Sequence, residues 1–319
     1  MKLGARLPPT LLGPDSKPLA YFLQSMEEMG YGYLATGDHV LGANIASRPN
    51  WRPYFGTPPM FGHEAPFREP FTLYAYLSAF TKTLELTTLL IISQRQTALV
   101  AKQAAEVDLY SQGRLRLNLG VGWNDVEYEA LGMDYHTRGA RVAEQVALMR
   151  ALWTQELVTF KGKYHTVTDA GLNPMPIQRP IPIWFGGSSK PVLRRVGEIG
   201  DGWFPWYPYF DPAQVKRDLE QVHEYARLAG RDPSKIGLEG MPHYDTRFEI
   251  PKGALGPPST FEEGVSTALA WKALGATHYT ISTTGVGAQG KVGLGLSAST
   301  IDGQLEMMRQ FKHAIDKAA

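Results

Sequence analysis

The feature that most limits the fold is an alternation that runs the whole chain. Short β-prone apolar runs take turns with amphipathic helical patterns across all 319 residues. Strand patterns fall at Lys2–Leu7, Tyr31–Gly37, Leu84–Ile92, Leu115–Val121, Pro180–Phe185, Gly202–Trp206, Ile236–Met241 and Thr277–Ser282. Helical spacing of apolar residues follows, over about 18–29, 70–83, 97–110, 138–153, 191–199, 211–229, 260–274 and 300–314. Regular strand–helix alternation implies a parallel sheet with helices outside it. Eight such units in about 300 residues suit a closed (β/α)8 TIM barrel better than two doubly wound domains. The expectation is an α/β fold with one barrel domain over 1–319 and insertions near 40–66, 154–179 and 245–258.

Those insertions break the period. Residues 40–66 hold five prolines together with Trp51, Tyr54, Phe55 and Phe61, and a loop of that length in a compact domain is commonly functional. In 154–179, the β-prone Val158-Thr159-Phe160 and Tyr164-His165-Thr166-Val167 flank Gly162 and predict a hairpin outside the main repeat. Asp211-Pro212 reads as an N-cap with proline at the first helical position, and Thr260-Phe261-Glu262-Glu263 as a capping box.

Charge and composition narrow the chemistry. Lys plus Arg is 32 and Asp plus Glu is 31, so no basic field points to nucleic acid. The absence of cysteine excludes disulfides, thiolate metal sites and Cys nucleophiles. Residues 1–9 carry no apolar run before a cleavage site, and no stretch of about 18 apolar residues occurs, so a cytoplasmic protein with no membrane partner is expected. The eight histidines form no metal-binding spacing, and no metal site is expected.

In a barrel of this kind the chemistry sits where strands end. Asp38-His39 closes the second strand pattern. Neighbouring strand residues point to opposite sides, so at most one of the two faces the axis, and a histidine there suits a proton relay near neutral pH. The alternative is a loop cap. The stretch Leu115–Val121 runs into Gly120 and Gly122 and then offers Trp123, Asn124 and Asp125, either a ligand shelf or a tight strand-to-helix turn. Gly186, Gly187, Ser188 and Ser189 lie between a strand and a helix, as an anion site or a serine-capped turn. Gly285-Val286-Gly287-Ala288-Gln289-Gly290 matches a dinucleotide fingerprint in letters, but no βαβ unit follows, so a loop over the barrel mouth is expected. The run Trp203–Phe210 suits a stack for a flat ligand or sugar or, for most of its rings, a packed barrel corner, and Arg95 and Arg138 suit an anion clamp or a solvated surface.

Taken together these stretches resemble the luciferase-like monooxygenase family, and within it the group that uses the deazaflavin coenzyme F(420). The resemblance rests on Gly37-Asp38-His39-Val40, Ala101–Asp108, Gly113–Trp123, Tyr128–Gly132, Arg138–Arg141, Pro182–Gly187 and Gly200–Trp203. It implies hydride transfer between reduced F(420) and a small organic substrate, with FMN as the alternative cofactor in an oxygen-using, alkanesulfonate-monooxygenase-like reaction. It implies His39 as the active-site histidine and Asp125 as a second acid, at a position that is glutamate in some relatives. Asp38, Thr88, Leu89, Asn118, Gly122, Trp123, Gly186, Gly187, Ser188 and Ser189 are the implied cofactor contacts. A non-prolyl cis peptide near Thr88-Leu89 and a homodimer are implied as well. Two other readings stay open: a carbohydrate-active barrel with paired carboxylates, drawing on Asp38, Asp125 and Asp201, and a non-catalytic flavin-binding barrel.

Overall fold

The computed structural model describes residues 1–53, 56–59, 61–242, 249–283 and 300–318. The expected glycine-rich loop at 285–290 and the first part of the 245–258 insertion lie outside the described residues. Eight parallel strands close a barrel: β1 (Lys2–Arg6), β2 (Tyr33–Gly37), β3 (Glu85–Ile91), β4 (Leu115–Gly120), β7 (Ile183–Gly186), β8 (Gly202–Phe204), β9 (Gly237–Gly240) and β10 (His278–Ile281). The strands β5 (Val158–Lys161) and β6 (Thr166–Ala170) pair antiparallel as the predicted hairpin. The helices are α1 (Lys17–Glu28), α2 (Pro70–Ser78), α3 (Thr97–Tyr110), α4 (Asp125–Ala130), α5 (Arg138–Thr154), α6 (Lys190–Ile199), α7 (Pro212–Leu228), α8 (Phe261–Ala273) and α9 (Ile301–Lys317). The expected (β/α)8 class is therefore the observed one. The helix α2 stops at Ser78, short of the expected Thr83, and the short α4 fills a stretch outside the eight helical patterns of the sequence. The predicted capping box is formed, with Thr260 accepting from the Glu263 N–H and Glu263 from the Thr260 N–H.

Two compact units make up the chain, residues 1–36 with 184–319, and residues 37–183. In the first, register decides how the strands fill their inner face. Gly4 is paired with Tyr33 on one side and Thr280 on the other, so all three share a face. The Tyr33 ring lies directly over Gly4, where a Cβ would come within 2.3 Å of it. Gly202 and Gly237 make the same room for the Trp184 ring. Glycine opposite a large ring is a way to fill a barrel without strain. The buried Glu239 carboxylate accepts from Thr280 Oγ1, which also bonds Tyr33 Oη at 2.8 Å.

In the second unit β3 and β4 pair with Leu89 against Asn118 and Ile91 against Gly120. Thr88 pairs with Leu117 on the opposite face. Of the two residues expected to back a cofactor ring, only Leu89 thus shares a face with Asn118, because side chains alternate along a strand. On that face Arg116 donates to Glu85 at 2.5 Å and to Asn118 Oδ1 at 2.9 Å. The cis peptide expected near Thr88-Leu89 is not found there; the cis bonds of the described residues precede Pro174 and Pro180. Residues 85–91 instead form an unbroken seven-residue strand, paired with β4 from Leu86 to Ile91.

The hairpin is tied to the same unit by one carboxylate. Glu144 on α5 accepts from the N–H groups of Lys163, Tyr164 and His165 and bonds His165 Nδ1 at 2.8 Å. His165 Nε2 is bonded to Thr97 Oγ1 at 2.7 Å, so both ring nitrogens are used.

Candidate active site

The chain leaves β2 at Gly37, and the next two residues turn to different partners. Asp38 is buried and accepts both forks of Arg95, at 2.6 and 3.2 Å, plus the Ile91 N–H at 3.0 Å. Burial pushes its carboxyl up, while the Arg95 guanidinium, the Ile91 N–H and His39 pull it back. Asp38 in turn raises Arg95 against the desolvation that lowers it, and the bidentate pair is the ionised form. Asp38 is thus the brace that joins the end of β2 to the end of β3.

His39 turns the other way. Its Nδ1 lies 3.0 Å from Glu127 Oε2, and the Glu127 side chain is fully buried on α4. A carboxylate only accepts, so Nδ1 carries the proton of the neutral ring and Nε2 keeps its lone pair. The second oxygen of Glu127 accepts the N–H groups of Val40 and Leu41, and Asn124 Nδ2 donates to the Leu41 carbonyl. The carboxylate that bonds the ring thus also bonds the backbone of the two residues after it.

Aromatic rings surround the imidazole. Phe61 and Phe67 stand edge-on to it at 4.7 and 4.8 Å, and Trp123 lies at 5.6 Å. Trp51 extends the wall beyond Trp123. Phe61 of the proline-rich insertion, and Phe67 just after it, are thus brought back to the histidine that precedes them. Rings of this kind exclude water and present apolar faces to a flat ligand. Tyr128 and Tyr135 donate to the carbonyls of Val121 and Trp123 and fix the turn that carries Trp123. Burial raises both phenols, which keeps them protonated donors.

The expected site residues fall into three groups. Asp38, His39 and Trp123 belong to this cluster, and Asp125 stands at the first position of α4, where it accepts from Trp51 Nε1 at 3.0 Å. Asn118 and Leu89 face one another on β4 and β3. Gly122 has φ +66, and a Cβ there would meet Ile91 at 2.8 Å, so the turn itself demands glycine. Gly120, two residues earlier, has open space beside it: nothing lies within 4 Å of where its Cβ would be. Gly186, Gly187, Ser188 and Ser189 form the turn from β7 into α6, with Gly187 at φ +115 and Ser188 Oγ donating to the Trp206 carbonyl. The residues that sequence reasoning missed are Glu127, Phe67 and the partnership of Trp51 with Asp125. The signal for Glu127 was weak: an acid two places after Asp125, in the first turn of a short helix.

The family model for luciferase-like monooxygenases matches residues 5–245. The chain belongs to the luciferase-like monooxygenase family. Its closed eight-stranded barrel is also the fold of the solved structures on which it superposes. One relative, pyrimidine monooxygenase RutA of Allorhizobium ampelinum, is 35% identical over 138 residues, 42% of this chain and 37% of that protein. The FMNH(2)-dependent dimethylsulfone monooxygenase of Pseudomonas putida is 31% identical over 140 residues, 43% of this chain and 39% of its own. Among solved structures, an F(420)-dependent secondary alcohol dehydrogenase in complex with an F(420)-acetone adduct superposes with a TM-score of 0.71 at 18% identity, covering 98% of each chain. The matched stretches span about 37 to 57% of the length of the first curated relatives. Among the described residues of this luciferase-like chain, no helix is long and apolar enough to cross a membrane.

Proposed function

We propose that this protein transfers hydride between the deazaflavin coenzyme F(420) and a small organic substrate, with His39 moving the accompanying proton. The observation that carries the reading is the buried Glu127 carboxylate on His39 Nδ1, which leaves Nε2 as the reactive nitrogen inside an aromatic wall. A flavin-type ring fits the residues present. Space beside Gly120 lets a flat group approach the strand, and the buried Asn124 Oδ1 and Gln94 amide lack protein partners. When bound, the reduced deazaflavin supplies the hydride from ring carbon C5.

The chain's own residues do the rest. His39 Nε2 receives the proton of a substrate alcohol or returns one to a carbonyl oxygen, and Glu127 keeps the ring in the tautomer that allows this. Phe61, Phe67, Trp51 and Trp123 keep water out. Leu89, Asn118, Gly122 and Trp123 are the proposed contacts of the ring, with Thr88 and Asp38 supporting from behind. Gly186, Gly187, Ser188 and Ser189 are the proposed phosphate contacts, where backbone N–H groups meet a helix start. Asp125 is held by Trp51 and is proposed as a second, outer acid. We further read the protein as one functional domain over 1–319, a cytoplasmic homodimer acting on small molecules.

Parallel fluorescence titrations with F(420) and with FMN test the reading. F(420) binding followed by hydride exchange with an alcohol or ketone is the expected result. FMN binding without any F(420) binding would overturn it. That outcome would favour a second reading, an FMNH(2)-dependent monooxygenase, which the 31% identity to the dimethylsulfone enzyme supports; oxygen uptake with reduced FMN measures it.

A further inference from the structure

The rings around His39 are joined to one another as well as to the imidazole. Phe61 links them, with its centroid 4.9 Å from Phe67 and 5.4 Å from Trp123. Phe61, Phe67, Trp123 and Trp51 are all half-buried, so each still shows apolar surface. Val40 and Leu41 are 43% and 46% exposed, and their N–H groups share the carboxylate that bonds His39, which keeps them beside it. Large apolar side chains gathered in this way mark a surface that a ligand covers.

Charge narrows the ligand further. Among the described residues, the charged group bonded to the His39 ring is the Glu127 carboxylate, and no cation contacts that ring. The neighbouring cations are engaged. Arg95 holds Asp38 and Glu69, and Arg138 lies 3.6 Å over the Tyr135 ring and donates to its carbonyl. Arg68 is likewise engaged, and Arg48 and Arg52 are tethered to carbonyls of their own loop. An anionic group brought to Nε2 would therefore meet a second negative charge with no cation on the ring to offset it.

We propose that the substrate brought to His39 Nε2 is an uncharged ketone or secondary alcohol bearing an aromatic or alicyclic ring, and that carboxylate-bearing analogues are rejected. The substrate's ring packs on Phe61, Phe67 and Trp123. The ketone takes a hydride at its carbonyl carbon from the reduced deazaflavin and a proton at its oxygen by way of Nε2, giving the alcohol; the reverse direction returns both. This substrate class rests on the reading of His39 as the group that exchanges a proton with substrate.

Three ketones test it: acetone, acetophenone and benzoylformate, the last carrying a carboxylate where acetophenone has a methyl group. The value of kcat/KM for reduction is measured on the full chain loaded with reduced F(420). Binding of the same ketones is followed by nitrogen NMR of the Trp51 and Trp123 indole N–H groups. Acetophenone is expected to exceed acetone at least about tenfold, from the apolar area that its ring buries. It should exceed benzoylformate by about tenfold or more, because like charges then meet at the wall. Phe61→Lys puts a cation there and should narrow the gap to benzoylformate by about tenfold. Phe67→Ala adds no charge, and should lower the preference for acetophenone over acetone without helping benzoylformate. Equal kcat/KM for acetophenone and acetone, or for acetophenone and benzoylformate, would overturn the proposal while leaving hydride transfer standing. If no ketone is reduced but acetophenone, and not acetone or benzoylformate, shifts the indole signals, the substrate class holds and the hydride reading falls. Silence in both measurements would overturn both.

Discussion

Glu127 holds His39 through one oxygen and the N–H groups of Val40 and Leu41 through the other. A single buried carboxylate therefore fixes the imidazole tautomer and the root of the long loop together. No other carboxylate among the described residues contacts this ring: Asp38 is spent on Arg95 and Asp125 on Trp51.

The first prediction concerns that pair. In Glu127→Gln the amide oxygen can still accept from Val40 and Leu41, but the amide nitrogen then faces His39. The ring must present a lone pair at Nδ1 and carry its proton at Nε2, the wrong tautomer for accepting a proton from substrate. We expect kcat to fall about 100-fold or more, with KM changed by less than about threefold. A nitrogen NMR spectrum of the His39 ring should show the proton moved from Nδ1 to Nε2. An unchanged tautomer and an unchanged kcat would remove Glu127 from the mechanism.

Gly122 gives a test on stability rather than turnover. Alanine there must adopt φ +66 and place a Cβ 2.8 Å from the Ile91 side chain. We expect Gly122→Ala to cost about 1–3 kcal/mol, read as a lower thermal midpoint in calorimetry. Gly120→Ala meets no atom and keeps an ordinary backbone, so it should change stability little. If Gly120 faces the cofactor ring, the same substitution should weaken cofactor binding.

The hairpin anchor responds to acid. Burial raises the Glu144 carboxyl, but hydrogen bonds from His165 and from the N–H groups of residues 163–165 outweigh this and hold it below its ordinary value of 4.5. A carboxyl lowered in the folded state stabilises above its unfolded value and loses that contribution as pH falls through the folded one. Hydrogen exchange at the amides of Lys163, Tyr164 and His165 should therefore quicken below about pH 4.5, relative to the intrinsic rate, before the barrel strands respond. Glu144→Gln should show the faster exchange at neutral pH.

Much of the architecture could be read from the chain, and the reason is local. A period of two followed by a period of 3.6 is written in residues close together, so β4, α3 and α8 fall within a residue or two of their expected ends. The chemistry at His39 was half legible. Alternation along β2 separated Asp38 from His39, and the structure gives them different partners. Glu127 escaped because it meets His39 across 88 residues, and no local period records such a pairing. Phe67 escaped for a related reason: it follows a proline-rich stretch with no period at all, and that stretch pointed to Phe61 only as one ring of a functional loop. The cis bond expected near Thr88-Leu89 came from resemblance rather than from these residues, and the strand there is regular.

The last prediction follows from Asp38 and Arg95. Arg95 is the largest influence opposing the burial that raises the Asp38 carboxyl, and it also reaches Glu69 at 3.3 Å. Arg95→Ala leaves a buried carboxylate with the Ile91 N–H as its remaining strong donor. Removing one partner of a buried pair costs about 3–5 kcal/mol at neutral pH. The sign of the pH dependence is fixed by the direction of the shift. A carboxyl raised in the folded state binds its proton more tightly folded than unfolded, so its contribution is present below the unfolded value and is lost as pH rises through the folded one. Arg95→Ala raises the folded value further and widens that window. The variant should therefore be closest to the parent in stability near pH 4 and fall progressively behind it towards pH 7. Chemical denaturation at several pH values measures the gap. Asp38→Asn in the Arg95→Ala background should flatten the pH dependence, because the buried titrating group of the brace is then gone; a gap that persists with the same slope would assign the effect to Glu69 instead.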